Sequence, residues 1–375
     1  MIYLYENENI KDEHKSLKEC IKNTPSLHSY FESNFNQIKP KNYCGFLSVD
    51  NQSYFIIPKI TNDENQNLNT FIYMLIYAYD INLKNEDLMN ADNVQHQILE
   101  LFIKLFSDAL LNELKRGVFK QYITMQENLK VLRGKYIIEK NFNNFYHQNI
   151  YCEFDEFSMN NELNRFFLYA IRTFKKFSSY GNLHRCEVVL DEVEYFNIDF
   201  KRLNIHFYRM NSRYKKSYEV ALMILQKLVP MTQNSSDNSF AFLFDMAKVF
   251  EKFVEKMYKE IDPSSEGQYA KTFNDLQLKP DIYTEMKIID VKYKSYDKSG
   301  LSRDDKYQMY VYGKNFSIED TMILYPKHKN NINKNLKLGE EGNMVRLALR
   351  SLDLQFDSGL EEYIDEMRSR IRGIT

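Results

Sequence analysis

The stretch LKPDIYTEMKIIDVKYK, Leu278 to Lys294, restricts the fold of this chain more than any other. Two short apolar segments flank Glu285-Met286, which places a hairpin reversal at that point. The turn lacks Asn-Gly chemistry, which favours a longer loop, and a symmetric loop keeps the same register. Antiparallel pairing about it sets Thr284 against Lys287, Ile282 against Ile289 and Asp281 against Asp290. Side chains alternate along a strand, so Asp290 and Lys292 share one face with Asp281 across from them. Ile282, Ile289 and Val291 point the other way, into a core.

Directly opposed residues have Cβ atoms ~4.5–5.5 Å apart, and like charges at that spacing repel. A divalent cation removes the conflict. Mg²⁺ is a hard ion bound by one or two carboxylates while it keeps waters and substrate phosphate oxygens. A lysine on the same face can orient or deprotonate an attacking water and offset charge on the phosphate. The chemistry this suggests is metal-assisted phosphodiester hydrolysis. The competing reading is a half-exposed hairpin with solvated charges, because Asp, eight residues, Asp-x-Lys arises readily by chance when 27% of residues are charged.

Two flanking segments add to the first reading. In DKYQMYVYG, Gln308 and Tyr312 are spaced i,i+4 and lie on one helix face, with Asp304 or Asp305 as N-cap and Gly313 at the end. Upstream, FAFLFDMAKVFEKFVEKMYKEI reads as a helix from about Phe240 to Ile261, preceded by the turn-rich loop MTQNSSDNS with Asp237 or Ser239 as cap. Glu251 in that helix borders an apolar stripe, either as a peripheral charge or as a third carboxylate reaching inward. From residue 240 the order helix, strand, strand, helix, strand (DTMILYPK) is an α/β pattern.

Earlier in the chain the first forty residues are polar and weakly periodic. Residues 44–60, CGFLSVDNQSYFIIPKI, read as two strands around a turn at Asp50-Asn51, ended by Pro58. A broad apolar stripe predicts a helix from Asp92 to Arg116 with Gly117 as C-cap, and NNELNRFFLYAIRTFKKF is again helical. Between them lies a basic stretch carrying Lys115, Arg116, Lys120, Lys130, Arg133, Lys135 and Lys140, either a solvated surface or a contact surface for a partner.

At 375 residues two domains are expected, and 43% apolar content supplies packed cores. A net charge of −2 rules out a general polyanion binder and confines any nucleic-acid surface to a local patch. The start, MIYLYENENI, is no signal peptide, and the longest apolar run, Phe71 to Tyr79, is far short of the ~20 residues that span a bilayer. Cys20, Cys44, Cys152 and Cys186 are scattered without a CxxC pair, and neither His147 nor His184 has a partner at ligand spacing. A soluble, reduced, cytoplasmic protein without membrane contact is expected.

A helix with Glu, then PD…DxK, then QxxxY is the motif order of the PD-(D/E)xK nucleases, in particular those similar to the RecB nuclease domain. More specifically, the chain resembles the McrC-like subunits of McrBC modification-dependent restriction systems. GFLSVDNQSYFIIPKI looks like that family's N-terminal hairpin. RGVFKQY, ENLKVLRGKY and CEFDEFSMNNELNRFF match its middle signature, and FLFDMAKVFEKFV, LKPDIYTEMKIIDVKYK and DDKYQMYVYG match its C-terminal blocks. The resemblance runs from about Tyr43 to Pro326.

It implies an α/β (α+β) chain in two parts. Residues 1–160 would form an N-terminal β/helical region that binds a partner. Residues 161–375 would form a PD-(D/E)xK endonuclease domain with a mixed sheet flanked by helices. The family's catalytic positions fall on Asp281, Asp290 and Lys292, with Gln308 and Tyr312 in support. The metal ligands would be Asp281, Asp290, the Val291 carbonyl and Glu251, holding Mg²⁺ or Mn²⁺ in its place. Implied partners are an McrB-like AAA+ GTPase hexamer, which such subunits stimulate, and double-stranded DNA carrying modified bases of the 5-methylcytosine type. The chain has no GxxxxGK(S/T) phosphate loop, so nucleotide hydrolysis belongs to the partner. Two rival readings are a non-cleaving activator of an AAA+ motor and a stand-alone defence nuclease.

Overall fold

The computed structural model describes residues 2–34, 37–50, 52–58, 60, 64–79, 94–144, 148–199, 202–230, 239–296, 300–328 and 330–374. His147 and most of the Met231–Ser239 loop, with its candidate cap Asp237, lie outside them. The chain divides into two compact units, Met1–Ala91 with Val229–Thr375, and Asp92–Leu228. Residues 160 and 161, where the sequence suggests a boundary, both fall inside the second unit.

The first stretch supplies β1 (Ile2–Tyr5), α1 (Lys15–Asn23), the hairpin β2 (Phe31–Asn34) and β3 (Gln37–Pro40), then β4 (Tyr43–Val49), β5 (Gln52–Ile57) and α2 (Glu64–Ala78). The expected β4–β5 hairpin is present, and Asp50 takes the left-handed conformation its turn demands (φ +48°). The weakly periodic N-terminus is not structureless. β1 pairs parallel with β5 and extends the sheet.

The second unit holds α3 (Val94–Lys115), β6 (Gln121–Leu129), β7 (Lys135–Tyr136), α4 (Ile138–Phe142), β8 (Ile150–Ser158), α5 (Glu162–Phe174), α6 (Gly181–Val189) and α7 (Lys215–Lys227). Its helices bury a Phe-rich core that includes Phe106, Phe167 and Phe174. Its sheet, in the order β6-β8-β7, is half solvated. There Tyr122 packs against its cross-strand partner Phe157 with tilted rings, and Val131, Leu132, Ile138 and Phe142 stand exposed.

The chain re-enters the first unit through β9 (Leu228–Pro230), β10 (Phe240–Asp245) and α8 (Met246–Ile261). Here the long helix expected from Phe240 is corrected: FAFLFD is a strand, antiparallel to β4. Five apolar residues in succession suit a strand covered on both faces, and a helix would expose some of them. Gly45 lets the two backbones close together, since a Cβ there would sit 2.2 Å from the Phe242 carbonyl. The helix proper begins after Asp245, whose carboxylate accepts the Ala247 N–H at 3.0 Å. Neither Asp237 nor Ser239 is its cap. One side of α8 buries Val249, Phe250, Phe253, Val254 and Met257, each burial contributing ~1.5–3 kcal/mol.

The remaining elements are β11 (Glu266–Gly267), β12 (Lys271–Phe273), β13 (Leu276–Leu278), β14 (Ile282–Tyr283), β15 (Ile288–Val291), α9 (Arg303–Phe316), β16 (Asp320–Pro326), β17 (Asn333–Leu338), β18 (Val345–Leu352) and α10 (Leu360–Ile374). They form a six-stranded sheet ordered β11-β14-β15-β16-β18-β17. β15, β16 and β18 run parallel and the other pairs antiparallel, so the sheet is mixed. A parallel β15–β16 pair needs a crossover, which α9 provides. The tail after His328 therefore builds the far side of the sheet.

The α9 helix departs from expectation at both ends. Ser302, not Asp304 or Asp305, is the N-cap, and Asp305 closes a capping box with it. At the other end the helix runs past Gly313 to Phe316 and stops at Ser317 in the left-handed conformation. Gly313 is there for packing. A Cβ would meet the Val345 methyls at 2.8 Å and the Ile318 carbonyl at 3.0 Å. Gly313→Val should destabilise the protein by ~1–3 kcal/mol, read as a lower midpoint in thermal or urea unfolding. An unchanged midpoint would contradict this packing.

Candidate active site

The hairpin register sets the site. Ile282 pairs with Ile289 and Tyr283 with Ile288, and the Thr284 N–H donates to the Lys287 carbonyl across Glu285-Met286 at 3.0 Å. The tight two-residue connection is therefore the one formed, with Thr284 Oγ1 accepting the Lys287 N–H in place of Asn-Gly chemistry. β14 stops at Ile282, and Asp281 continues the pairing with its side chain: Oδ2 accepts the Val291 N–H at 2.8 Å. Asp290 lies opposite, 2% exposed in a strand buried at all four positions. The β15 side of the hairpin is buried, while its tip is exposed, with Met286 82% accessible. Burying that carboxylate is costly unless it is paired, and Lys292 and Gln308 supply the partners.

The helix α9 brings its QxxxY pair to the same place. Gln308 Nε2 donates to Asp290 Oδ1 at 3.2 Å and to the Tyr312 hydroxyl at 3.0 Å. Tyr312 in turn donates to the Lys279 carbonyl at 3.1 Å. The Lys292 ammonium lies 2.8 Å from Asp290 Oδ2 and donates to Gln308 Oε1 at 3.3 Å. The neighbouring Lys294 pairs instead with Asp305 of the helix cap at 2.6 Å. Between the two lysines, Tyr293 turns to the opposite face and donates to the buried Glu6 at 2.6 Å. The two lysines thus lie on one side of the chain, Lys292 at the site and Lys294 tying down α9, with Tyr293 on the other.

Glu251 reaches inward from α8, and a residue with no motif to announce it, Gln268, joins it to the hairpin. The Gln268 amide donates to Glu251 Oε1 and, at 3.1 Å, to Asp281 Oδ1. The sequence around it, SSEGQYAK, shows no period and no spacing that would single it out.

The electrostatics follow from this crowding. Burial, then the Asp281 charge, pushes the Asp290 carboxyl up to about 6, with Lys292 pulling the other way. Burial and the charges of Asp281, Glu255 and Asp290 push Glu251 up to about 7. Asp281 is raised by burial and partly restored by the Val291 N–H. Burial acts to lower Lys292, but the charge and hydrogen bond of Asp290, with the charges of Asp281 and Asp305, together outweigh it and hold the group above its usual range. Lys292 is therefore an ammonium at neutral pH, suited to orient a water and neutralise charge rather than to abstract a proton.

Asp290 Oδ2 is buried and faces the Lys292 ammonium at 2.8 Å. Among the described residues no group of three or more His, Cys, Asp or Glu side chains is placed to hold a metal ion. An all-oxygen, open set of Asp281, Asp290 and the Val291 carbonyl, with Glu251 beyond Gln268, fits a hard ion that keeps part of its water shell, not zinc.

The family model for the McrBC 5-methylcytosine restriction system component matches residues 38–326. The chain belongs to the McrBC family. Without a GxxxxGK(S/T) loop, it is the family's McrC-like component. It is similar over 100% of both chains, at 22% identity and a TM-score of 0.61, to a chain of the refined half-complex from the tetradecameric assembly of Thermococcus gammatolerans McrB AAA+ hexamers with bound McrC. That identity speaks to the fold alone. The cryo-EM structure of the Thermococcus gammatolerans McrBC complex matches 68% of this chain and 86% of that chain at 25% identity, with a TM-score of 0.48. No curated protein matches. Among the described residues no helix is long and apolar enough to cross a membrane.

Proposed function

We propose that this McrC-like chain is the Mg²⁺-dependent endonuclease subunit of a restriction complex acting on modified, 5-methylcytosine-type DNA. In this reading it stimulates an McrB-like AAA+ GTPase hexamer and its catalytic half is a PD-(D/E)xK nuclease. The observation that carries this is the meeting of Asp281, Asp290, Lys292 and Gln308 around one buried strand end. A bound Mg²⁺ would supply Lewis-acid stabilisation of the phosphate and a more acidic water. Asp281, Asp290 and the Val291 carbonyl would hold it, with Glu251 as a further carboxylate and Mn²⁺ able to replace it. Lys292 orients the attacking water toward phosphorus and offsets the charge gathering on the phosphate oxygens. Gln308 holds Lys292 and Asp290 in register, and Tyr312 fixes Gln308 against the Lys279 carbonyl.

The raised carboxyls set a pH dependence. Their folded-state values lie above the ordinary carboxyl range, near 6 for Asp290 and 7 for Glu251, so the metal-free fold favours the protonated forms. That contribution to stability is complete at acid pH and is lost as pH rises through those values. Metal binding needs the carboxylates and so gains over the same window. Mn²⁺ affinity should rise at least ~10-fold between about pH 5.5 and 7.5, with proton release seen by calorimetry in buffers of different ionisation enthalpy. A flat affinity across that range would contradict the assignment of these groups.

The second unit is the natural place for partner contact. The basic stretch from Lys115 to Lys140 and the exposed side chains of Val131, Leu132, Ile138 and Phe142 support this. A non-cleaving activator would have no use for a buried Asp290 paired with Lys292.

A further inference from the structure

Gln268 has a backbone conformation that needs explaining. Its φ of +52° lies in the left-handed region, which a residue with a Cβ adopts only where its surroundings hold it. What holds it is the site: the Gln268 N–H donates to the Asp281 carbonyl at 2.8 Å. The side chain then returns to the same residue, with Nε2 donating to Asp281 Oδ1 at 3.1 Å and to Glu251 Oε1. Both acceptors are carboxylate oxygens, which fixes the amide with its NH₂ group toward them. The positive end of the amide dipole thus lies between two carboxyl groups, where it lessens the repulsion that arises when both are ionised.

We propose that Gln268 is a metal-facing residue of this site: its amide holds Glu251 and Asp281 together in the metal-free protein and turns over to offer its carbonyl oxygen when a divalent cation binds. This rests on the metal-dependent reading above and extends it to a residue outside the motif. The terminal torsion of a glutamine is broad and roughly two-fold, so exchanging Nε2 for Oε1 needs no backbone movement. An uncharged amide oxygen is a hard donor of the kind such cations accept beside carboxylates. The backbone stays anchored on Asp281 throughout, so the new donor arrives already positioned.

The test is a Mn²⁺ titration of the full-length chain by calorimetry, without DNA or partner, for the wild type, Gln268→Met, Gln268→Glu and Asp290→Asn. Circular dichroism serves as the check on folding. Gln268→Met keeps the length and loses the donor oxygen, and should weaken Mn²⁺ binding ~10-fold or more. Gln268→Glu adds a third carboxylate to Glu251 and Asp281. It should lower the unfolding midpoint of the metal-free protein while tightening Mn²⁺ binding severalfold, with saturating Mn²⁺ recovering the midpoint. Equal or tighter binding by Gln268→Met, or no change in Gln268→Glu, would overturn the proposal while leaving the metal site standing. Absence of binding in the wild type would remove both. Loss of binding in Asp290→Asn alone would place the cation on the hairpin and out of reach of Gln268.

Discussion

Asp290→Asn and Lys292→Ala should each lower cleavage of modified DNA ~10³-fold or more in the presence of the AAA+ partner, while stimulation of the partner's GTPase persists. The size follows from where these groups sit. Asp290 is a buried carboxylate whose Oδ2 meets Lys292, and its Oδ1 accepts from Gln308. Removing its charge leaves the proposed cation with one hairpin carboxylate instead of two. Misfolding is a poor explanation for such a loss, because burial and the Asp281 charge disfavour the ionised form of Asp290 in the metal-free fold. The neutral isostere should therefore hold or raise the unfolding midpoint of the metal-free protein. Gln308→Ala acts through Lys292 and Asp290 and should cost less, ~10–100-fold. Cleavage by both principal variants at the wild-type rate would end the assignment.

The second large effect concerns activation of the partner, and it depends on how the chain is divided. A fragment ending near Gln233 keeps the N-terminal segments but loses β10, the strand that pairs with β4. It also loses α8, which packs against α2 through Phe253 and Tyr77. Such a fragment leaves the apolar faces of β4, β5 and α2 uncovered and should aggregate. Activation is better tested in the full chain. Ile138→Asp combined with Phe142→Asp alters side chains 72% and 90% exposed, which no core requires. The double variant should fold normally and reduce GTPase stimulation at least ~10-fold, since exposed apolar side chains of this kind serve as interface anchors. Wild-type stimulation by this variant would move the partner surface elsewhere on the chain.

Legibility of the sequence varied with the range of the interactions that define each feature. The β14–β15 register was legible because it follows from alternation about one turn, and the Gln308–Tyr312 face because it follows from helical period. Both are local. The strand FAFLFD was misread as helix because its apolar run gives no period, and β4, nearly two hundred residues earlier, decides its state. The cap of α9 was misplaced because Ser302, Asp304 and Asp305 all qualify by type and only the geometry distinguishes them. The tail after His328 gave no sequence signal, yet β18 runs parallel to β16 and completes the sheet. Gln268 was invisible because its role comes from a left-handed backbone and two partners, 17 and 13 residues away, in different elements.

The central claim is that a divalent cation sits at the end of β15. Anomalous diffraction from a crystal of the full chain soaked in Mn²⁺ tests it most directly. The account predicts a peak within bonding distance, ~2.0–2.3 Å, of Asp281, Asp290 and the Val291 carbonyl, absent from Asp290→Asn. No peak there, or one that survives in Asp290→Asn, would contradict it.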